Sequence, residues 1–334
     1  MSLSATRSRL HHPRMAATPP ILFVALLFLP FLLRFDDYSL YILTLGLLFA
    51  SLSVSWNLLA YCGLISFGHA AFFGLGAYTS AIFSIEWGLS PWITILLGMG
   101  WASAFALLVG ATCLHLKGPS FALGTLCWAE ILKAMAFNWT SLTQGAWGLV
   151  GIPPLPAISF GKLRIEFSFS RTANYFLFLL LLALFYIVER KLFTLRLGIA
   201  MRAIREGEER ASSLGINAFP LKLGVLSVSG GSTGLLGALY AHLLHTIEPG
   251  MTFSLYISFI PLIMAMFGGM HHPLGPIVGA LVLYLVNELL FQPLLPWAHQ
   301  VPYAIGILLA LFFLPQGIVG KLSEIREGRV KAGR

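Results

Sequence analysis

The segment YFLFLLLLALFYIV, Tyr175 to Val188, is apolar on every face that a helix or a strand could present. A helix at the surface of a soluble protein keeps a polar stripe toward water, and this run has none. Its surroundings must therefore be hydrocarbon. Composition extends that conclusion to the whole chain: 57% of residues are hydrophobic, 10% are charged and the mean hydropathy is +0.84, where soluble domains carry roughly 25% charged residues.

A hydrocarbon layer about 30 Å thick takes roughly 20 apolar residues per helix. Ten stretches qualify: Pro20–Leu33, Tyr38–Leu59, Ile65–Ser84, Pro91–His115, Ser120–Trp139, Asn174–Phe193, Phe219–His245, Phe253–Met270, Gly275–Leu295 and Tyr303–Val319. A closed barrel, the other architecture that satisfies its backbone in lipid, needs short alternating strands that these runs do not contain. The expected fold is an all-α polytopic membrane protein with about ten transmembrane helices.

Lys and Arg near span ends are retained on the cytoplasmic side. With both termini cytoplasmic, ten crossings place sixteen of the 21 Lys and Arg residues inside or at an inner span end. Arg34, Lys162, Arg164 and Arg171 fall outside, and Lys133 lies within a span. The net charge of +8 thus reads as topology rather than as a nucleic-acid surface. This threading divides the chain into a basic cytoplasmic tail at 1–19, a transmembrane domain at 20–319 and a second basic tail at 320–334. Within the domain, 140–172 forms an outer loop and 194–218 a cytoplasmic one. Residues 1–19, Ser- and Arg-rich without an acid, also have the composition of a transit peptide, but retention inside already accounts for their arginines.

Motifs for bond chemistry are missing from the sequence. The pairs Gly161-Lys162 and Gly320-Lys321 have Pro156 and Pro315 where a phosphate-binding loop needs its leading glycine. Neither H-E-x-x-H nor G-x-S-x-G occurs. His242 and His245 stand three apart near Glu248, a weak metal pattern that lacks a third rigid ligand. His271 and His272 fall in a short turn between spans. The three cysteines, Cys62, Cys113 and Cys127, form no disulfide framework. The chain reads as a non-enzyme with no cofactor of its own.

Glycine is what the spans supply. SFGHAAFFGLGAY carries Gly68, Gly74 and Gly76, and SGGSTGLLGALYA carries Gly230, Gly231, Gly234 and Gly237. Small residues three or four apart let helices approach closely, either as plain packing or as a smooth contact across which helices rock. FFGLGAYTSAIF and TGLLGALYAHLL resemble each other, a hint of internal duplication. Ionisable and amide groups inside spans either line a path or bond between helices. His69 and Tyr78 of the third span, Glu130 with Lys133 of the fifth, Asn57 of the second, and Asn287 with Glu288 of the ninth are of this kind. In the outer loop Leu163, Ile165, Phe167 and Phe169 alternate with Arg164, Glu166, Ser168 and Ser170, the period of a half-buried strand.

One segment departs from all this. Ten of the 34 charged residues lie between Glu189 and Arg210. Ala200, Ile204, Gly207, Ala211 and Leu214 step by four and three, one stripe of an amphipathic helix. Arg202 with Glu206, Arg205 with Glu209, and Glu206 with Arg210 stand at ion-pair spacing, each pair contributing about 0.2–0.5 kcal/mol. Gly215 supplies the stop. A connector of about 25 residues is longer than the usual two to eight, so it is expected to meet a partner.

Glu209-Arg210-Ala211-Ser212-Ser213-Leu214-Gly215 resembles the cytoplasmic E-A-A-x-x-x-G loop of ABC importer permeases. With RLGIAMRAIREGEERASSLGIN, GLISFGHAAFFGLGAY, LTQGAWGLVGIP and GGMHHPLGP, the chain from the second span onward resembles the LivM type of branched-chain amino acid permease. Two motifs depart from that pattern. The family's T-G-G is Thr143-Gln144-Gly145 here, and its G-G-x-G-T-x-x-G-P is Gly268 to Pro276 with His271 and His272 inside. The resemblance implies a multi-pass protein of the bacterial inner membrane that imports a small polar solute, most naturally branched-chain amino acids. Urea or another small solute on a similar permease, and a self-sufficient secondary transporter or channel, are the alternatives. It also implies partners: ATPase subunits that hold ATP and Mg, a second LivH-type permease, an extracytoplasmic solute-binding protein, and lipid, with no nucleic acid. Arg202, Arg205, Glu206, Glu208, Glu209, Arg210 and Gly215 would form the coupling helix. Gly68, His69, Gly74, Gly76, Tyr78, Glu130, Gly234, Gly237 and Asn287 would pack the bundle or line its path.

Overall fold

The computed structural model describes residues 18–32, 36–160, 163–168, 170–270, 272–294 and 316–321, with isolated positions between 297 and 312. Most of the expected tenth span and of both tails, together with Phe169 and His271, lies outside the described residues. The chain folds as helices α1 (Thr18–Leu32), α2 (Asp37–Tyr61), α3 (His69–Glu86), α4 (Pro91–Cys113), α5 (Pro119–Asn138) and the single turn α6 (Thr140–Thr143). A loop with three short strands follows: β1 (Leu149–Val150), β2 (Ile158–Phe160) and β3 (Leu163–Ile165). Next come α7 (Arg171–Thr194), α8 (Arg196–Glu206), α9 (Glu208–Ser213), α10 (Ala218–Leu244), β4 (Thr246–Ile247) and α11 (Pro249–Thr252). The last elements are α12 (Leu255–Gly268), α13 (Gly275–Val286), a π-helical turn at Asn287–Phe291 and α14 (Gln292–Leu294).

Among the described residues six helical segments are long and apolar enough to cross a membrane: Asp37–Tyr61, Pro91–Cys113, Pro119–Asn138, Ala218–Leu244, Pro249–Gly268 and Gly275–Leu294. The protein is therefore polytopic and all-α in its spans. Helix starts follow local chemistry. Asp36 and Ser170 accept the backbone N–H of Ser39 and Ala173 at 3.2 and 3.1 Å, and proline occupies the first turn of α4 and α5. The third expected span starts later than its sequence suggested. Ile65 to Gly68 form an irregular link, and the helix begins at His69.

Helix α2 lies at the centre. Its buried hydroxyls are satisfied within the helix or across it: Ser51 Oγ donates to Leu47 O, Ser53 Oγ to Pro261 O in α12, and Ser55 Oγ to Ser229 O in α10 at 2.8 Å. Buried polar groups of this kind tie spans together where apolar side chains alone give no preference.

A second seam joins α3, α4 and α10 by backbone contact. A methyl group added at Gly76 would overlap the carbonyl of Gly234; one at Gly237 would overlap that of Phe73; and one at Gly98 would sit 2.7 Å from the oxygen of Gly76. The two mutually similar segments of the sequence are thus the ones that face each other. The same device closes α12 on α13, where Gly268, Gly275 and Gly279 leave no room for a Cβ.

Candidate functional site

Two ends and one side of the bundle carry the chemistry. At the charged end, α7 runs into α8 through Leu195. Gly198, Met201 and Ile204 are the buried face of α8, and Ala211 that of α9. The single amphipathic helix expected from the stripe is in fact two. The Gly207 N–H bonds the carbonyls of both Ala203 and Ile204 at 3.2 Å, which ends α8, and Ala211 N bonds Gly207 O to start α9. Because the axis turns there, Leu214 leaves the stripe and is 77% exposed. The i,i+4 pairs expected of Arg202, Glu206, Glu209 and their partners are not among the ion pairs of the described residues. Glu208 instead bonds Lys222 Nζ of α10 at 2.6 Å, with Lys222 itself buried. Arg205 lays its guanidinium over the ring of Tyr61 at 5.5 Å, and Tyr61 stacks on Phe193 at 3.5 Å. Gly215, at φ +80, turns the chain toward α10 beside a cleft of about 460 Å³. Burial beneath this end pushes the Cys62 thiol up to about 12.

The opposite end is capped by the 140–172 loop. β1 pairs antiparallel with β4, Leu149 opposite Ile247, and Ile152 N donates to His245 O at 3.0 Å. His242 and His245, read above as a weak metal pattern, direct Nδ1 to the carbonyls of Pro153 and Ile152 at 2.7 and 3.2 Å. Their role here is to staple the loop. Trp92 Nε1 donates to Pro156 O, and its ring meets Phe167 edge-on at 5.4 Å. The expected strand is present but shorter, pairing β3 with β2, and Ile165 is exposed whereas Phe167 is buried.

Between the ends, the candidate path residues separate into groups. Gly68, His69, Gly74, Gly76 and Tyr78 lie along α3, with Gly234 and Gly237 against them on α10. Gly68 abuts the Thr125 carbonyl of α5, and Gly74 abuts the ring of Phe253. His69 is fully buried, with Nε2 3.0 Å from Ser229 Oγ. The Tyr78 ring stacks on Phe253 beside an apolar cleft of about 360 Å³, lined also by Phe83, Trp87, Trp101 and Trp139. Glu130 does not join this group. It pairs with Lys133 at 3.7 Å on the outward face of α5, 47% exposed. Asn287 stands apart in the π-turn, its Nδ2 donating to Glu288 Oε1 at 3.3 Å. In the turn after α12, the His272 Nδ1 accepts the Leu274 N–H at 3.2 Å, and burial holds the imidazole below its usual value.

The sequence reading missed Glu189. It had been counted with the solvated charges of the insert, yet it is fully buried and bonded to Asn57 of α2. A signal was available. Tyr175, Phe178, Leu182, Tyr186, Glu189 and Phe193 step by three and four, so the buried face of α7 runs straight through it.

A bundle of apolar spans, closed by backbone contacts and bearing a charged pair of short helices at one end, is a multi-pass membrane protein. Residues 38–314 match the family model for the permease component of branched-chain amino acid transport systems. The high-affinity branched-chain amino acid permeases LivM of Escherichia coli K12 and Salmonella typhimurium LT2 are 29% and 28% identical over 267 and 270 residues. In each case 75% of this chain is matched, and the chain spans 63% of the relative's length. The nucleoside permease NupC of Lactococcus lactis is 24% identical over 292 residues, covering 79% of this chain and 87% of NupC. No solved structure matches. The chain belongs to the branched-chain amino acid transport permease family. It is a multi-pass protein of the bacterial inner membrane.

Proposed function

We propose that this subunit imports branched-chain amino acids, with α8 and α9 receiving the work of a separate ATPase that holds ATP and Mg. The observation that carries this reading is the build of the charged end. Buried Met201, Ile204 and Ala211 seat the two helices on the bundle, while Glu206, Glu209 and Arg210 face outward. Such a surface suits a partner's groove. A LivH-type permease would complete the path on the side where Glu130 is exposed beside half-buried Lys133, since a mid-span ion pair is costly against lipid. A solute-binding protein would meet the stapled 140–172 loop. In this reading both termini are cytoplasmic, as the distribution of Lys and Arg implies.

The decisive experiment reconstitutes the chain with its ATPases and measures uptake of leucine and of guanosine. Glu209→Lys with Arg210→Glu is expected to abolish ATP-driven leucine uptake while the protein stays folded. Glu208→Lys differs, because it breaks the Lys222 bond and lowers stability as well. Leucine uptake that persists without an ATPase would overturn the coupling reading. A nucleoside substrate is the second reading, favoured by the greater share of NupC that the chain covers and by the aromatic lining around Tyr78. Guanosine uptake without leucine uptake would select it.

A further inference from the structure

Glu189 presents a problem that its surroundings do not solve as a carboxylate. It is fully buried, and among the described residues no ion pair reaches it. One oxygen, Oε1, accepts the Asn57 Nδ2–H at 2.7 Å. The other, Oε2, has no partner, and neither has Oδ1 of the same Asn57. Two buried acceptors left over on two groups that already share one hydrogen bond are both costly. A single proton removes both costs. Placed on Oε2 it makes that atom a donor, and when the carboxyl and amide planes align, its natural acceptor is Asn57 Oδ1.

We propose that Glu189 is a neutral carboxylic acid whose proton closes a two-bond acid–amide ring with Asn57, clasping α7 to α2 immediately behind α8. The charged groups around it are engaged elsewhere. On α8, Arg205 lies over the Tyr61 ring, and Arg202 is not among the ion-pair partners of Glu189 in the described residues. On α7 itself, Arg190 faces Tyr186, and the Tyr186 ring meets Phe23 of α1. On α10, Lys222 is held by Glu208, and α12 presents to α2 the carbonyl of Pro261. None of these supplies a cation to a carboxylate at 189. The clasp goes beyond the transport reading and does not rest on it, since it concerns how the root of α7 is fixed whatever the solute.

The test uses the full chain in lipid nanodiscs. Infrared spectroscopy at about pH 8, far above the roughly 4.3 of a free Glu, should show a protonated carboxyl C=O stretch that Glu189→Gln removes. Gln has the same shape and reproduces both bonds, so Glu189→Gln should keep the wild-type thermal midpoint and expression. Glu189→Leu and Asn57→Leu, which strand the partner's polar atoms, should each lower the midpoint by several degrees. Absence of a protonated-carboxyl band that Glu189→Gln removes would overturn the proposal. So would a Gln variant as damaged as the Leu variant, or one that fails to fold, because nothing but an ionised partner role would distinguish it from the native group.

Discussion

Helices α2 and α5 are both long apolar spans, yet 94% of the most apolar stretch of α2 is buried within the chain against 28% of α5. Apolarity therefore says that a segment enters the membrane, not where in the bundle it stands. The distinction lies in the polar residues. Those of α2 are small hydroxyls and one amide, each able to turn toward a neighbouring helix, as Ser53, Ser55 and Asn57 do. The charged residues of α5, Glu130 and Lys133, pair with each other, while its Thr125 accepts the Phe67 N–H and its Trp128 donates to Thr112 of α4. The difference is thus in charge: the inner helix turns hydroxyls and an amide to its neighbours, and the outer one holds its ion pair on a less covered face.

The sharpest challenge to that contrast is at the glycine seam beside α2. Gly76→Leu forces a side chain into the Gly234 backbone and Gly234→Leu forces one into the Ala102 methyl, and each should destabilise by about 3 kcal/mol, read as loss of the monodisperse peak in detergent. A folded Gly234→Leu protein would show that the seam is looser than drawn. A smaller effect is expected at the hub. Ser229→Ala removes the 2.7 Å bond to Ser55 O and the contact with His69, a loss of about 1–3 kcal/mol visible in the thermal midpoint. The outer face should respond least. Glu130→Gln with Lys133→Met should change stability by no more than about 0.5 kcal/mol while slowing uptake by the assembled transporter. An equal fall in stability at both sites would erase the distinction. Thiol labelling offers a gentler probe, since Cys127 of α5 is exposed whereas Cys62 and Cys113 are buried. Maleimide should modify Cys127 alone at neutral pH, and a partner permease on α5 should protect it.

Much of this arrangement was legible before any coordinates. The expected spans that fall on described residues coincide with helices to within a few residues, because their lengths answer to the bilayer and their ends to proline, Asp36 and Ser170. Gly76, Gly234 and Gly237 were recognisable as close-contact positions from spacing alone. What stayed hidden needed a second element. Periodicity continued the α8 stripe across Gly207, where the backbone bends, and charge spacing offered local ion pairs where Glu208 prefers Lys222, fourteen residues on. Glu189 looked like the first residue of a solvated patch because its neighbours Arg190 and Lys191 are; only the face of α7 against α2 reveals otherwise. Glu130 was named as an ionisable group inside a span, and its position in the sequence carries no information about the direction it faces.

Helix α10 has a mechanical meaning that its glycines alone do not convey. Its 27 residues make a rod about 40 Å long. One end is latched to α9 through Lys222 and Glu208, and the other leads directly into the strand that holds β1 of the loop cap. At Gly234 and Gly237 it touches α3 backbone to backbone, with no side chain at those points to flex and absorb a displacement. If α9 receives the work of an ATPase, as proposed above, a push there would pass along this rod toward the loop cap and carry α3 with it at the glycine contacts.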